Sequence, residues 1–141
     1  MLIEQAVESL VLTVNQRALP NGGFSGRTGC GYRPDATAWA ILALAEVGSK
    51  KNVVQLARSK LVADQMVDGR VSLSPDYPKA FWPTPLAVIA WQGSLAHCVP
   101  QLRALKFLLD TTGKHWVKRD DSVFGHDTSI RGWPWIGDTH S

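Results

Sequence analysis

Asp35 opens the most apolar stretch of the chain, Pro34-Asp-Ala-Thr-Ala-Trp-Ala-Ile-Leu-Ala-Leu-Ala45. It is the only acid of that stretch. The bland reading is a first-turn acid that favours the helix dipole and its orphan N–H groups. Thr37 and Thr84 read the same way, as first-turn residues. Arg119-Asp120-Asp121 also places two acids together, but in a polar stretch, and reads as a solvated turn. His115, His126 and His140, with Asp127 and Asp138, lack the one-turn spacing of a helical metal site, and His97-Cys98 closes a helix. No metal is expected. The run Gly22-Gly-Phe-Ser-Gly-Arg-Thr-Gly-Cys-Gly31 follows a helix, not a strand, and matches neither phosphate-cradling pattern. No cofactor is expected either.

The elements that must position these residues alternate between two kinds. Residues 2–16 carry Ile3, Val7, Leu10, Val11 and Val14 at helical spacing with Glu4 and Glu8 between them, which predicts an amphipathic helix with one buried face. Residues 34–45 are apolar all round, which predicts a helix buried on every side, stopped at Gly48. The couplet recurs as an amphipathic 51–66 and an apolar 83–91, with proline in the first turn of the latter. A third amphipathic helix, 99–109, opens another round and leads into a long loop, 112–138. Thr37 and Thr84 are 47 residues apart, as are Gly22 and Gly69; Gly69 and Gly113 are 44 apart. A period in the mid-forties with two helices per unit signals stacked helical hairpins. The expected fold is all-α, a single domain over 1–141 with repeats at about 1–49, 50–97 and 98–141.

Composition narrows the function classes. With 141 residues, 45% of them hydrophobic, the chain can build a core without disulfides or structural metal. No apolar run approaches the roughly 20 residues of a membrane helix, so no spanning segment is expected. The first residues lack a basic flank leading into an apolar stretch, so no secretory leader is expected. The net charge of +3 is spread over Lys50-Lys51, Arg58, Lys60, Lys114, Lys118 and Arg119. A nucleic-acid face needs clustered cations, so none is expected. Cys30 and Cys98 form no C-x-x-C pattern and read as reduced thiols of a cytoplasmic protein.

Taken together, these residues resemble the terpene cyclase and protein prenyltransferase superfamily. Its loops carry a glutamine followed by G-x-W; here Gln16, Gly22 and Phe24 stand in that pattern, Gln65, Gly69 and Val71 repeat it, and Gly113 and Trp116 follow with Asp110 near the glutamine position. The resemblance covers the chain as two hairpins and half of a third. It implies a partial α/α toroid of about five helices, amphipathic ones outside and apolar ones inside. It also implies an isoprenoid or other apolar ligand. Asp35 aligns with the middle acid of the cyclase D-x-D-D-T-A motif, and so would be the catalytic acid, with Arg33 and Ala36 at the flanking acid positions. Thr37 and Thr84 stand where prenyltransferases would place zinc-binding Cys and His, so no zinc is implied. Tyr32, Trp39, Phe81, Trp82, Trp133 and Trp135 lie in or beside the loops that lead into the inner helices. In such a barrel those loops converge on one mouth, where aromatic faces bind a flat apolar chain. A non-catalytic binding or interaction module, or a truncated remnant, is the alternative. The repeat calls for a third inner helix right after residues 136–141, with Thr139 or Ser141 as its cap. A homo-oligomer, or the missing part of a toroid, is the expected cover for that last repeat.

Overall fold

The computed structural model describes residues 2–48, 50–116, 127 and 129–139. They form α1 (Leu2–Asn15), α2 (Pro34–Glu46), α3 (Lys51–Ala63), α4 (Pro83–Trp91) and α5 (Cys98–Asp110), with a 3₁₀ turn at Leu95–His97 before α5. Among the described residues the only extended pairings are isolated bridges. The fold is all-α. Pro34 and Pro83 each take the first helical position, where a missing N–H costs nothing. Gly48 adopts a left-handed φ of +64° just past α2, as a helix stop requires. Arg58 of α3 closes α4 by donating to the carbonyls of Ala90 at 2.7 Å and Gln92 at 3.2 Å. No described helix is long and apolar enough to cross a membrane.

α2 packs along α4; α3 lies mainly on α2, and α5 mainly on α4. Phe24, Ile41, Leu44, Val54, Leu61, Val71 and Trp91 fill the space between them. α2 and α4 are each enclosed by neighbours on more than one side, but not on every side as expected, since Trp39 and Ile89 are exposed.

The 47-residue period is a physical register. The bridge Ala18↔Phe24 recurs as Gln65↔Val71. The turn closed by Gly22 N donating to Leu19 O recurs as Gly69 N donating to Met66 O. Thr37 Oγ1 accepts from Phe24 N at 2.8 Å, and Thr84 Oγ1 accepts from Val71 N at 3.0 Å. Each loop glycine sits against the backbone of the next amphipathic helix. A Cβ on Gly22 would lie 3.0 Å from Leu56 O, and one on Gly69 only 2.2 Å from Arg103 O. Leu56 and Arg103 are again 47 residues apart.

Two expectations need correction. α1 does not bury a face: Leu10 is 65% exposed and Ile3 79%, and only Val11 and Val14 pack against the core. Its one substantial neighbour is α2, met along a narrow edge. Gln16 does not hold the glutamine position either. It is exposed, and Ala18 occupies the place of Gln65, because the glutamine precedes its glycine by four residues and Gln16 precedes Gly22 by six. The stretch 135–138 lies against the start of α4. Phe81 N and Trp82 N both donate to Trp135 O, at 2.8 and 3.2 Å, and Gly137 N donates to Lys79 O at 2.7 Å. Lys79 and Asp138 pair across the same junction. Ser141 lies outside the described residues.

Candidate functional site

The α2 start, the α3 end and the loop 72–78 enclose a cavity of about 540 Å³. Tyr32, Pro34, Met66, Leu73, Pro75 and Pro78 give it mostly apolar walls, and Lys60 and Asp64 lie at its side. Those two charges are spent on each other: Lys60 Nζ donates to both Asp64 oxygens, at 2.7 and 2.9 Å. The pair is a one-turn helical pair, so α3 itself sets its geometry. Lys60 also lies 4.4 Å over the Tyr32 ring. The ring is pressed on Gly23, where a Cβ would meet it at 2.5 Å. Burial, and then the neighbouring Asp64, push the Tyr32 hydroxyl well above the usual phenol range. That hydroxyl is buried with no hydrogen-bond partner among the described residues, and it shares the wall with the hydroxyls of Ser72 and Ser74.

Asp35 lies in the first turn of α2, as expected, but caps no backbone N–H. Both its oxygens accept from Arg33, Oδ1 from Nε and Oδ2 from Nη2, each at 2.8 Å. This two-pronged grip holds the Arg33 guanidinium above its ordinary value. Thr37 and Thr84 are buried joints between loop and helix, with their hydroxyls engaged by backbone, as described above.

The six aromatics do not share one mouth. Tyr32 alone lines the cavity. Phe81, Trp82, Trp133 and Trp135 gather where the C-terminal segment crosses the start of α4. Phe81 meets Phe107 edge-on at 5.2 Å and Trp133 at 6.5 Å, with the Arg70 guanidinium 5.3 Å over its ring. Buried Phe81 is thus committed to packing, and Trp135 is exposed. Trp39 stands apart on the outer side of α2, 60% exposed. The reason is topological: α2 and α4 lie side by side, so residues of one helix start need not face those of the next.

His97 is buried, with Nδ1 2.8 Å from Ser94 Oγ and Nε2 3.4 Å from Ser59 Oγ. Desolvation, and then Arg58, hold it below the usual imidazole value. Among the described residues no cluster of three potential metal ligands occurs. His126, His140 and Arg119-Asp120-Asp121 lie outside the described residues. Sequence reasoning found Tyr32 but missed Lys60, Asp64, Met66 and Leu73 as cavity walls. The only signal was their position, at the end of an amphipathic helix and in the loop beyond it.

No protein-family model, curated protein or solved structure matches this chain. The resemblance to the cyclases and prenyltransferases rests on the residues of this sequence.

Proposed function

We propose that this chain is a helical-repeat binding module of the partial α/α toroid kind, which holds an apolar, isoprenoid-like ligand and catalyses no reaction through Asp35. The observation that carries the reading is the cavity between α2, α3 and the loop 72–78. At about 540 Å³ it falls in the roughly 300–1,000 Å³ range of ordinary small-molecule sites. Its apolar walls and its self-neutralised Lys60–Asp64 pair favour a neutral chain-like molecule over a diphosphate, which needs unpaired cations. The Tyr32 hydroxyl suits a single acceptor, such as an alcohol oxygen. The Asp35–Arg33 grip supports a positioning role for Asp35 at the α2 start.

Farnesol serves as the probe, with methyl NMR of the intact chain as the readout. Saturable shifts at Met66 and Leu73 are expected, with loss of binding in Leu73→Arg and retention in Asp35→Asn. No saturable shift, or binding indifferent to Leu73→Arg, overturns the ligand site. Turnover of a prenyl substrate that Asp35→Asn abolishes in a folded protein overturns the non-catalytic reading.

A further inference from the structure

The turn that brings Gly22 onto α3 reads Leu19-Pro-Asn-Gly-Gly23. An asparagine followed by glycine is open to attack by its own main chain, because glycine puts no side chain in the way of its amide nitrogen. Asn21 is exposed. The other two asparagines are differently placed: Asn15 donates its carboxamide to Val11 O at 2.8 Å and precedes Gln16, and Asn52 lies in α3 before the branched Val53.

The closed joint withholds the nucleophile. Gly22 N donates to Leu19 O at 3.0 Å, and Leu19 N donates to Gly23 O at 3.0 Å. Gly22 holds a left-handed φ of +85°, and a Cβ there would stand 3.0 Å from both Cγ and O of Leu56. While these contacts last, the Gly22 amide is engaged with Leu19 and not with the Asn21 carboxamide. The register supplies a comparison, because Asp68 stands 47 residues after Asn21 and likewise precedes a seated glycine. Its turn is closed by Gly69 N donating to Met66 O at 2.9 Å, and Asp68 Oδ1 accepts from Arg70 N at 3.2 Å. An ordinary aspartate therefore fits this place. A longer main chain does not, since the turn bond and the seat together fix the path of the backbone.

We propose that Asn21 is a spontaneous modification site, with water as its only co-reactant, that the closed joint holds unreacted and that keeps the joint open once it has reacted to isoaspartate. The Gly22 nitrogen gives up its proton and forms a bond to Asn21 Cγ; the Cγ–Nδ2 bond breaks, and the nitrogen leaves as ammonia with a proton from solvent. Water then opens the five-membered imide at one of its two carbonyls. Breaking the bond from nitrogen to Cγ returns an ordinary aspartate. Breaking the bond from nitrogen to the main-chain carbonyl carbon leaves the chain running through Cγ, with one methylene more before Gly22. In that isoaspartate form the turn bond to Leu19 O and the seat on Leu56 cannot be made together. The aspartate form restores both, as at Asp68. No oxidant, enzyme or bound ligand is required, so the site is independent of the cavity.

The intact chain is incubated at mildly alkaline pH, folded and in urea, and its peptides are followed by mass spectrometry, with an isoaspartyl methyltransferase to tell isoaspartate from aspartate. Reaction at Asn21, and not at Asn15 or Asn52, is expected. It should run slower by about tenfold or more in the folded chain, where only molecules with an open joint react. Chain enriched in isoaspartate should lose hydrogen-exchange protection at the Gly22 and Ser25 amides by about tenfold or more, since these donate to Leu19 O and Arg17 O across the joint. Asn21→Asp should keep the protection of the unreacted chain, and Asn21→Ala should neither react nor open. Equal rates in the folded and the unfolded chain, or no isoaspartate in either, overturns the proposal. So does a joint still protected in the isoaspartate form. Loss of protection in Asn21→Asp overturns it as well, because the new charge and not the added methylene would then open the joint.

Discussion

The first and second helical units use the same joints with different degrees of closure. Both seat a loop glycine on the next helix, both lock a loop N–H on a threonine, and both start the apolar helix with proline. Yet a Cβ on Gly69 would lie closer to its carbonyl, at 2.2 Å, than one on Gly22, at 3.0 Å, and only the second unit has a glutamine at the joint. Gln65 Nε2 donates to Gly69 O at 2.9 Å and to Pro100 O at 2.8 Å, while the first unit has Ala18 there. Other places do not repeat at all: Asp35 corresponds to Trp82, Tyr32 to Lys79 and Lys50 to His97. Residues that recur in role are scaffold. Those that differ are free to serve what only one unit does, and Tyr32 at the cavity is one of them.

Breaking the two glycine seats should separate the units most. Gly69→Ala should cost about 4 kcal/mol or more, because a Cβ would overlap a carbonyl and the left-handed φ is strained as well. Gly22→Ala should cost about 1–3 kcal/mol, chiefly for φ. Urea unfolding of the two variants measures the gap, and equal losses would mean that the seats are equally tight. Thr37→Val and Thr84→Val should each lose about 2–3 kcal/mol by stranding a buried backbone N–H, with the serine variants recovering part of it. Here the units should agree, and a large difference in urea midpoint would break the equivalence of the threonines.

Val54→Ala should cost about 2 kcal/mol, and Val7→Ala less than about 0.5 kcal/mol, since only the former leaves a buried space. The smallest effect is the one pH brings out. His97 is held below its unfolded value by burial and by Arg58. The unfolded chain therefore takes the proton first as the pH falls. The stability that His97 contributes is complete above the unfolded imidazole value and drains away as pH falls through the folded one. Melts between pH 8 and 5 should show this slope, and His97→Gln should reduce it; a slope unchanged in that variant would place the titration elsewhere.

Much of the architecture was legible because burial writes itself into periodicity. The start of α2 at Pro34 and both ends of α4 fall where apolar runs, prolines and glycines predict them, and Thr37–Thr84 and Gly22–Gly69 carry the register. Periodicity, however, records which face a helix can bury and not whether anything covers it. Ile3, Val7 and Leu10 show the same pattern as the buried face of α3, so the exposure of α1 could not be read from them. The cavity was hidden for a related reason. Met66, Leu73 and Pro78 come from a helix end and a loop, and no spacing rule connects them before the chain is folded. The aromatics misled because sequence position beside a helix start fixes neither azimuth nor partner: Phe81 found Phe107, while Trp39 turned outward.

The glycine seats have an evolutionary consequence. A joint made on a carbonyl oxygen depends less on the side chain behind it, which is how leucine at 56, whose Cγ also borders Gly22, and arginine at 103 can fill the same role. Selection at such a joint falls on the glycine that arrives and not on the helix that receives. The receiving helices can therefore diverge in sequence without altering the spacing of the units. Kinship among hairpins of this type would then fade from their outer helices first and persist longest in a handful of glycines, threonines and prolines.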